Sequence, residues 1–171
     1  LTALYAAWPD GGVDKRHRVL VRGRWRDAIR KVALDVHKFV TREGERRVRV
    51  SEGGQLALTI FRREAVWPAH EPPLALLDAE LRTGRTHQIR VHLTHLGFPL
   101  AGDDKYGDFA WNRELAKAGL KRMFLHAATL ALAHPLTGEP LVLSPPLPDA
   151  LARFVASLGP AARSRAAGGR A

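Results

Sequence analysis

Short runs of apolar residues, interleaved with arginine and lysine, follow one another through the first 81 residues of the chain. Alternation of apolar and charged residues with a period of two is typical of a strand with one buried face and one solvated, here basic, face. Gly53, Gly54, Pro68, Pro72 and Pro73 interrupt the runs, as residues of turns and loops do. Strands are therefore expected at 19–21, 29–36, 46–50, 56–61 and 74–81.

The pattern changes after Leu81, where apolar residues take helical spacing. Ile89, Leu93 and Leu96 recur at i, i+4 and i+7, which predicts an amphipathic helix. Thr83 is the expected N-cap of this helix, and Gly97 is expected to end it as the C′ glycine. Farther on we expect a short helix at 113–118, a buried strand at 123–133, a hairpin turn at 135–139, a returning strand at 141–143 and a last helix at 149–157.

The charge balance is strongly basic and comes mainly from arginine. The chain of 171 residues has 27 lysines and arginines against 17 acids, for a formal net charge of +10. Within the first 50 residues, 13 basic residues face six acids. Because arginine's planar fork matches phosphate and stacks on bases, this balance indicates a nucleic-acid partner. The alternative is a basic surface that serves solubility.

Three absences narrow the class of protein. The chain has no cysteine, which excludes disulfides and thiolate zinc sites and fits a cytoplasmic location. It has no apolar run long enough for a transmembrane helix, so no membrane partner is expected. It begins at Leu1, without methionine and without the features of a signal peptide, so we expect it to start inside a longer protein.

The densest group of polar residues lies at 81–93, where a strand leads into the first helix. The N-terminus of a helix is a natural site for an anion, so this group indicates contact with phosphate or an RNA backbone. An ordinary basic helix end explains the composition equally well. The residues of the group alone do not separate these two interpretations.

The string at this helix, however, is specific. TGRTHQIRVHL, followed by GFPLAGDDKYG, resembles the third signature block of the RluA-type RNA pseudouridine synthases. Segments 124–127, 134–139 and 145–148 resemble the family's later blocks, in the same order. Segments 19–25 and 45–50 resemble its large-subunit rRNA branch, called RluC. The resemblance extends from about residue 13 to residue 155.

The resemblance implies a fold and a function. The fold class is α+β: the C-terminal portion of the pseudouridine synthase fold, with a mixed, mainly antiparallel sheet and helices packed on it. The domain is expected to occupy residues 1–158, with a disordered tail at 159–171. The implied activity is isomerisation of uridine to pseudouridine in large-subunit ribosomal RNA, without cofactor or metal. RNA is the expected partner, and the intact protein is expected to be a monomer.

The family uses an aspartate nucleophile, an arginine that holds it, an aromatic residue that packs the base, and an apolar pocket wall. Arg90 matches the arginine, and Leu125 matches the wall. His17 stands where the family usually has tyrosine. Four residues match the mouth of the pocket and are expected to contact the substrate: Arg85, Thr86, His87 and Gln88. Asp103, Asp104 and Tyr106 match a loop that we interpret as structural.

The nucleophile is missing from these residues. The family's aspartate lies in a His-Arg-Leu-Asp block, and no Arg-Leu-Asp occurs in this chain, so we expect that block upstream of Leu1. The chain is therefore expected to bind RNA with strong salt dependence but to be inactive alone. Because the absent block should contribute strands to the same sheet, we also expect exposed sheet edges, apolar patches and poor stability in isolation.

Two other functions remain open on the sequence. A noncatalytic basic RNA-binding module would use the same strands and need no aspartate. A metal-dependent hydrolase is suggested by His87, His92, His95 and His126, with His92 and His95 three apart on one helix. The sequence has no His-Glu-x-x-His arrangement to support the hydrolase.

Overall fold

The computed structural model describes residues 13–163. Residues 1–12 and 164–171, which include most of the predicted tail, lie outside the described range. The helices and strands are β1 (Asp14–Arg22), β2 (Ile29–Ala33), β3 (Val36–Val40), β4 (Arg46–Val50), β5 (Leu58–Trp67), β6 (Leu74–Leu81), α1 (Gln88–His95), α2 (Phe109–Lys117), β7 (Leu125–Ala133), β8 (Pro140–Leu143) and α3 (Asp149–Ser157).

Six strands form the main sheet, in the order β2-β5-β6-β1-β7-β8. Every pairing in this sheet is antiparallel, so the α+β class is confirmed, and the sheet is antiparallel throughout its described strands. Alternation in β1 separates two cores: Val19 and Val21 pack with α1, whereas Leu20 packs with α2 and α3 on the opposite face. Helices thus cover both faces of the central strands.

The second predicted strand is two strands. The expected run at 29–36 ends as β2 at Ala33, and Val36 starts β3, which pairs with β4 in a separate two-stranded sheet. Val36 and Val48 of this hairpin form a small core with Val91 of α1. The chain therefore leaves the main sheet after Ala33, because the apolar residues that follow pack on α1.

The first helix starts later than predicted. Thr83 is not its N-cap: the helix begins at Gln88, after His87 in a left-handed conformation with φ 53°. The Thr83 hydroxyl instead accepts a hydrogen bond from Leu58 N and donates one to Gln88 Oε1. The predicted helix end is confirmed, since Gly97 has φ 84° directly after the last turn.

The second helix also differs from the sequence expectation. It begins at Phe109 and not at Arg113, because the side chain of Asp108 accepts a hydrogen bond from Trp111 N and caps the helix there. Trp111 and Leu115 face the second core. The last helix has the predicted bounds.

Among the described strands, β2 and β8 form the two edges of the main sheet. Ile29 on β2 is exposed, and Val142 and Leu143 are exposed on β8. After α3, Gly159 O accepts a hydrogen bond from Trp67 Nε1 at 3.0 Å. The domain boundary at residue 158 and the disordered tail remain predictions. Among the described helices, none is long and apolar enough to cross a membrane.

Candidate active site around Arg90

The loop between α1 and α2 positions the candidate site against the sheet. Ala101 N donates to Leu20 O at 2.9 Å, and Ala101 O accepts from Phe124 N at 2.8 Å. The loop is thereby held between β1 and the start of β7. Gly102, at φ 74°, approaches the Arg122 carbonyl so closely that a Cβ there would lie 2.3 Å from the oxygen. Only glycine, which has no Cβ, allows this close approach. The approach thereby fixes the position of the next residue, Asp103.

Asp103 is the partner of Arg90. Arg90 Nε donates to Asp103 Oδ2 at 2.9 Å, and Arg90 Nη2 donates to Oδ1 at 2.8 Å, forming a two-point fork. The carboxylate is fully buried, and the Arg90 side chain is 12% exposed. Lys105 N and Tyr106 N also donate to Oδ1. The fork uses the Nε–Nη2 edge of the guanidinium and leaves the Nη1 side outside it.

These contacts set the ionisation of the pair. Burial by itself raises the pKa of Asp103, but the hydrogen bonds from Arg90 and from two backbone N–H groups outweigh it and hold the pKa below its usual value. The bonds to Asp103 raise the pKa of Arg90. The site therefore holds a charged and well-ordered arginine beside the sheet.

The aspartate nucleophile that the family resemblance implies is not among the described residues around Arg90. It is expected upstream of Leu1, and Leu1 itself is not among the described residues 13–163. The position of that aspartate relative to Arg90 therefore stays a prediction. The acid that the structure does bring to Arg90 is Asp103, which the sequence interpretation assigned to a structural loop.

Tyr106 connects Arg90 to His87 and to the β3–β4 hairpin. Its hydroxyl accepts a hydrogen bond from Val48 N at 3.0 Å and lies 2.8 Å from His87 Nδ1. Its ring lies under Arg90, with Arg90 Cζ 5.1 Å from the ring centroid. The prediction that 103–106 is a structural loop therefore describes its contacts well, since the loop fixes Arg90 on one side and the hairpin on the other.

Gln88 is buried in a hydrogen-bond network that joins α1 to β5. Its Nε2 donates to Leu58 O at 3.0 Å and to Thr59 Oγ1 at 2.9 Å, while its Oε1 accepts from the Thr83 hydroxyl and from Arg85 N. At 2% exposure it does not reach the surface. Gln88 therefore holds the start of α1, and the structure adds no support to its predicted contact with substrate.

The network continues to His92, which is fully buried. Its Nδ1 lies 3.0 Å from Thr59 Oγ1, and its Nε2 lies 2.8 Å from Leu34 O. Both ring nitrogens are engaged, so His92 has no lone pair directed at a shared site with His95. Within residues 13–163, no group of three or more metal-ligating side chains lies close enough to hold a metal ion.

Comparisons with known proteins agree on one family. No family model matches the chain. The chain is 39% identical over 160 residues to the ribosomal large subunit pseudouridine synthase C of Escherichia coli O157:H7. It is 40% identical over 158 residues to the protein of the same name from Haemophilus ducreyi. These alignments cover 92% of this chain but 49% and 48% of the relatives, so the chain spans about half their length.

This chain belongs to the pseudouridine synthase family. Two solved human structures share its fold: RNA pseudouridylate synthase domain containing 1, with a TM-score of 0.69, and domain containing 4, with 0.68. Each is 24% identical to the chain and covers 92% of it, and the chain covers 70% and 66% of those structures. At this identity the likeness concerns the fold alone.

His17 is the residue that the resemblance places where the family usually has tyrosine. It lies on β1 between Ala79 of β6 and Ala127 of β7, on the face that carries Val19. Burial, with contributions from Lys15 and His126, lowers the pKa of His17 to about 4. Its Nδ1 is buried without a hydrogen-bond partner among the described residues. The ring is therefore neutral at pH 7 and offers an unused polar atom.

Leu125 lies on the same face as His17. It pairs with Val19 across β1 and β7 and packs, partly buried, against the core that contains Ile89 and Leu93 of α1. Its position at the margin of that core fits the predicted pocket wall. Its packing alone is also that of an ordinary core residue.

The remaining predicted residues lie at the turn before α1. Arg85 Nε donates to Leu56 O at 2.9 Å, so this arginine spans from the turn to the segment before β5. Thr86 and His87 line a cavity beside the β3–β4 hairpin. The structure thus divides the predicted group: Thr86 and His87 face a cavity, Arg85 lies at the surface, and Gln88 is internal.

Several of the arginines are engaged by acids on the sheet. On β1, Arg16 binds Asp14 and Asp78, and Arg18 binds Glu64. On β5, Arg62 binds Glu80 at 2.6 Å. The predicted basic face of β1 is therefore partly neutralised within the fold. Sequence reasoning missed the pairs that cross from one strand to another, since only the order of the strands in the sheet brings these acids to the arginines.

Proposed function

We propose that this chain is the RNA-binding, arginine-bearing part of the catalytic domain of a pseudouridine synthase that acts on large-subunit ribosomal RNA. Its relatives carry that name, and the chain spans about half of their length. In this proposal the target uridine is taken out of the stack before reaction, as enzymes acting on bases require. The catalytic aspartate comes from a block upstream of Leu1, which these 171 residues do not contain.

Arg90 is the residue that carries the proposal. It is nearly buried, it is fixed by the fork to Asp103, and one side of its guanidinium stays outside that fork. A carboxylate placed on the Nη1 side would be kept ionised by the arginine and so remain a nucleophile at neutral pH. Asp103 then orients Arg90 and leaves it able to receive a second acid.

Asp103 itself is a poor candidate for the nucleophile. Both of its oxygens are engaged, by Arg90 and by the N–H groups of Lys105 and Tyr106, and the carboxylate has no solvent exposure. Asp104 is 98% exposed. We therefore propose that the chain alone binds RNA without converting uridine.

The test joins this chain to the segment of a relative that carries the His-Arg-Leu-Asp block. Pseudouridine formation is then measured in a large-subunit rRNA transcript. The joined protein should form pseudouridine, its Arg90→Ala variant should lose at least about 100-fold in rate, and the chain alone should bind RNA without product. His17→Tyr in the joined protein tests whether histidine supports base packing. Robust conversion by the chain alone, or full activity of Arg90→Ala, would overturn the proposal.

Three further expectations belong to this proposal. RNA modification without metal or cofactor follows the family resemblance. A cytoplasmic location is supported by the absence of cysteine, and the intact protein is proposed to be a monomer. If the joined protein binds RNA tightly but forms no pseudouridine, a noncatalytic RNA-binding module becomes the better description.

A further inference from the structure

The β3–β4 hairpin is fixed at one end against the loop that holds Arg90. The Tyr106 hydroxyl accepts from Val48 N, Lys105 Nζ donates to Arg46 O at 2.8 Å, and Arg47 Nη1 donates to Lys105 O at 3.3 Å. Although the hairpin lies outside the main sheet, three separate contacts hold it in place. A ligand that binds beside it therefore meets a preorganised wall.

One face of this hairpin is covered by α1 only in part. Val36 and Val48 pack on Val91 of α1. Lys38 pairs with Val48, and Val40 pairs with Arg46, so the side chains of these pairs continue the same face toward the hairpin tip. Lys38, Val40 and Arg46 are exposed there. The face of the hairpin that α1 covers therefore continues toward the tip as a solvent-exposed surface with apolar and cationic side chains.

A cavity of about 340 Å³ lies between this exposed surface and the turn before α1. Its walls include Lys38, Val40 and Arg46 on the hairpin, and Thr86 and His87 on the turn. Among the described lining residues, none is acidic. The volume is at the lower end of the range for small-ligand sites, roughly 300–1,000 Å³. Cationic groups next to an apolar wall suit a nucleotide, which has a phosphate and a flat base.

His87 contributes a donor of fixed tautomer. Since the Tyr106 hydroxyl accepts from Val48 N, its own hydrogen is available for His87 Nδ1, 2.8 Å away. We assign Nδ1 as the acceptor, which places the ring proton on Nε2. Burial, together with Arg90 and Lys105, lowers the pKa of His87, so the ring stays neutral at pH 7. The free ring donor is Nε2–H.

The cavity lies beside the candidate active site. The ring of Tyr106 is 5.4 Å from that of His87 and 5.1 Å from Arg90 Cζ. One aromatic side chain therefore separates a cavity wall from the arginine. Such a separation fits adjacent nucleotides of one strand, with one at Arg90 and the next in the cavity.

We propose that this cavity is a binding site for a single-stranded RNA nucleotide that neighbours the reacting uridine. Lys38 and Arg46 bind its phosphate, Val40 packs against its base, and His87 Nε2–H donates to an acceptor on the base. The inference rests on the proposed function, because it requires that the chain binds RNA. It adds a second nucleotide site and assigns it to the hairpin.

The test compares two double variants that remove the same charge. Lys38→Ala/Arg46→Ala empties the proposed phosphate site, whereas Lys121→Ala/Arg153→Ala removes two exposed cations away from the hairpin. Affinity for a short labelled single-stranded RNA is measured by fluorescence anisotropy at several salt concentrations. Lys38→Ala/Arg46→Ala should bind at least about tenfold more weakly than the wild-type chain. Because the two residues bind one phosphate, the slope of log affinity against log salt concentration should become shallower by about 0.7, whereas the control should retain most of the affinity.

A second comparison does not depend on removing cations. Val40→Glu places a negative charge in the cavity at an exposed position, and Leu136→Glu places one at the exposed turn of the β7–β8 hairpin. Val40→Glu should weaken RNA binding more than Leu136→Glu does. Circular dichroism checks that both variants are folded. If the wild-type chain binds RNA and the cavity variants, Lys38→Ala/Arg46→Ala and Val40→Glu, match their controls, the inference is wrong and the proposed function stands. If the wild-type chain does not bind RNA, the proposed function fails with it.

Discussion

Arg90 illustrates how the environment of one residue decides its chemistry. Arginine at the surface of a helix is a solvated cation, but Arg90 is nearly buried and shares a two-point fork with a fully buried acid. Removing one member of a buried pair leaves the other as an uncompensated charge, which is more costly than losing the attraction alone. The stability of the candidate site should therefore depend on Asp103.

Asp103→Asn should lower the free energy of unfolding by about 3 kcal/mol, since Arg90 loses its counter-charge in a buried position. Asp104→Asn provides the matched control, because Asp104 Oδ1 is 4.0 Å from the same guanidinium but 98% exposed. The control should change stability by less than about 0.5 kcal/mol. Urea denaturation at pH 7 measures both. Equal effects would show that the fork contributes nothing specific.

His17 should make the fold sensitive to acid. Its pKa in the folded chain is about 4, below the ordinary value near 6.5 that it has when unfolded. Between these values the unfolded chain binds more protons, so stability is fully present above about pH 6.5 and falls as the pH is lowered toward 4. His17→Tyr should reduce this loss.

The measurement is the difference in unfolding free energy between pH 7.5 and pH 5, for wild type and for His17→Tyr. Part of the acid sensitivity should remain, because burial also lowers the pKa of His92 and of His87. An identical pH dependence in the two proteins would mean that His17 is as easily protonated in the fold as in the unfolded chain.

Among the secondary-structure elements, the β3–β4 hairpin depends on its contacts with the loop after α1. A two-stranded hairpin is at best marginally stable by itself. Here Val36 and Val48 pack on α1, and Tyr106 accepts from Val48 N. The order of the hairpin therefore comes from neighbours that are far away in sequence.

Tyr106→Phe should loosen the hairpin while leaving the ring beside Arg90. The substitution leaves Val48 N–H and His87 Nδ1 without their hydroxyl partner, at a cost of about 1–3 kcal/mol. Amide hydrogen exchange should become faster at Val48, whereas amides of β1 such as Val21 serve as the internal control. Unchanged protection of Val48 would show that packing on α1 alone holds the hairpin.

At the scale of the whole molecule, the exposed edge at β8 is the main liability. Val142 is 62% exposed, and the outer side of β8 has no paired strand among the described residues. Apolar edge strands with unpaired backbone groups favour association with other chains. The relatives are about twice as long as this chain, and further strands on this sheet would remove the edge.

The isolated chain should therefore self-associate as its concentration rises, and Val142→Lys should reduce this by placing a charge on the edge. Leu136→Lys is the control, since Leu136 is 86% exposed but lies in the turn and not on the strand. Sedimentation velocity over a range of concentrations measures the association. A monomer at all concentrations for the wild-type chain would contradict the expected edge effect.

The sequence by itself determined whatever depends on neighbours along the chain. Alternation of residue types predicted β1 and β4, an apolar run predicted β6, the glycine at 97 predicted the end of α1, and the long string at 83–93 identified the family. These features are local, because a strand needs only a period of two and a helix end needs only a residue that adopts positive φ.

The tertiary structure decided which side chains meet. It gave Arg90 its partner Asp103, placed Gln88 inside a network instead of at the surface, and split the predicted second strand into β2 and β3. It also brought Lys38 and Arg46 of the hairpin opposite His87. Each of these arrangements involves segments that are distant along the chain, and packing and buried hydrogen bonds decide where such segments meet.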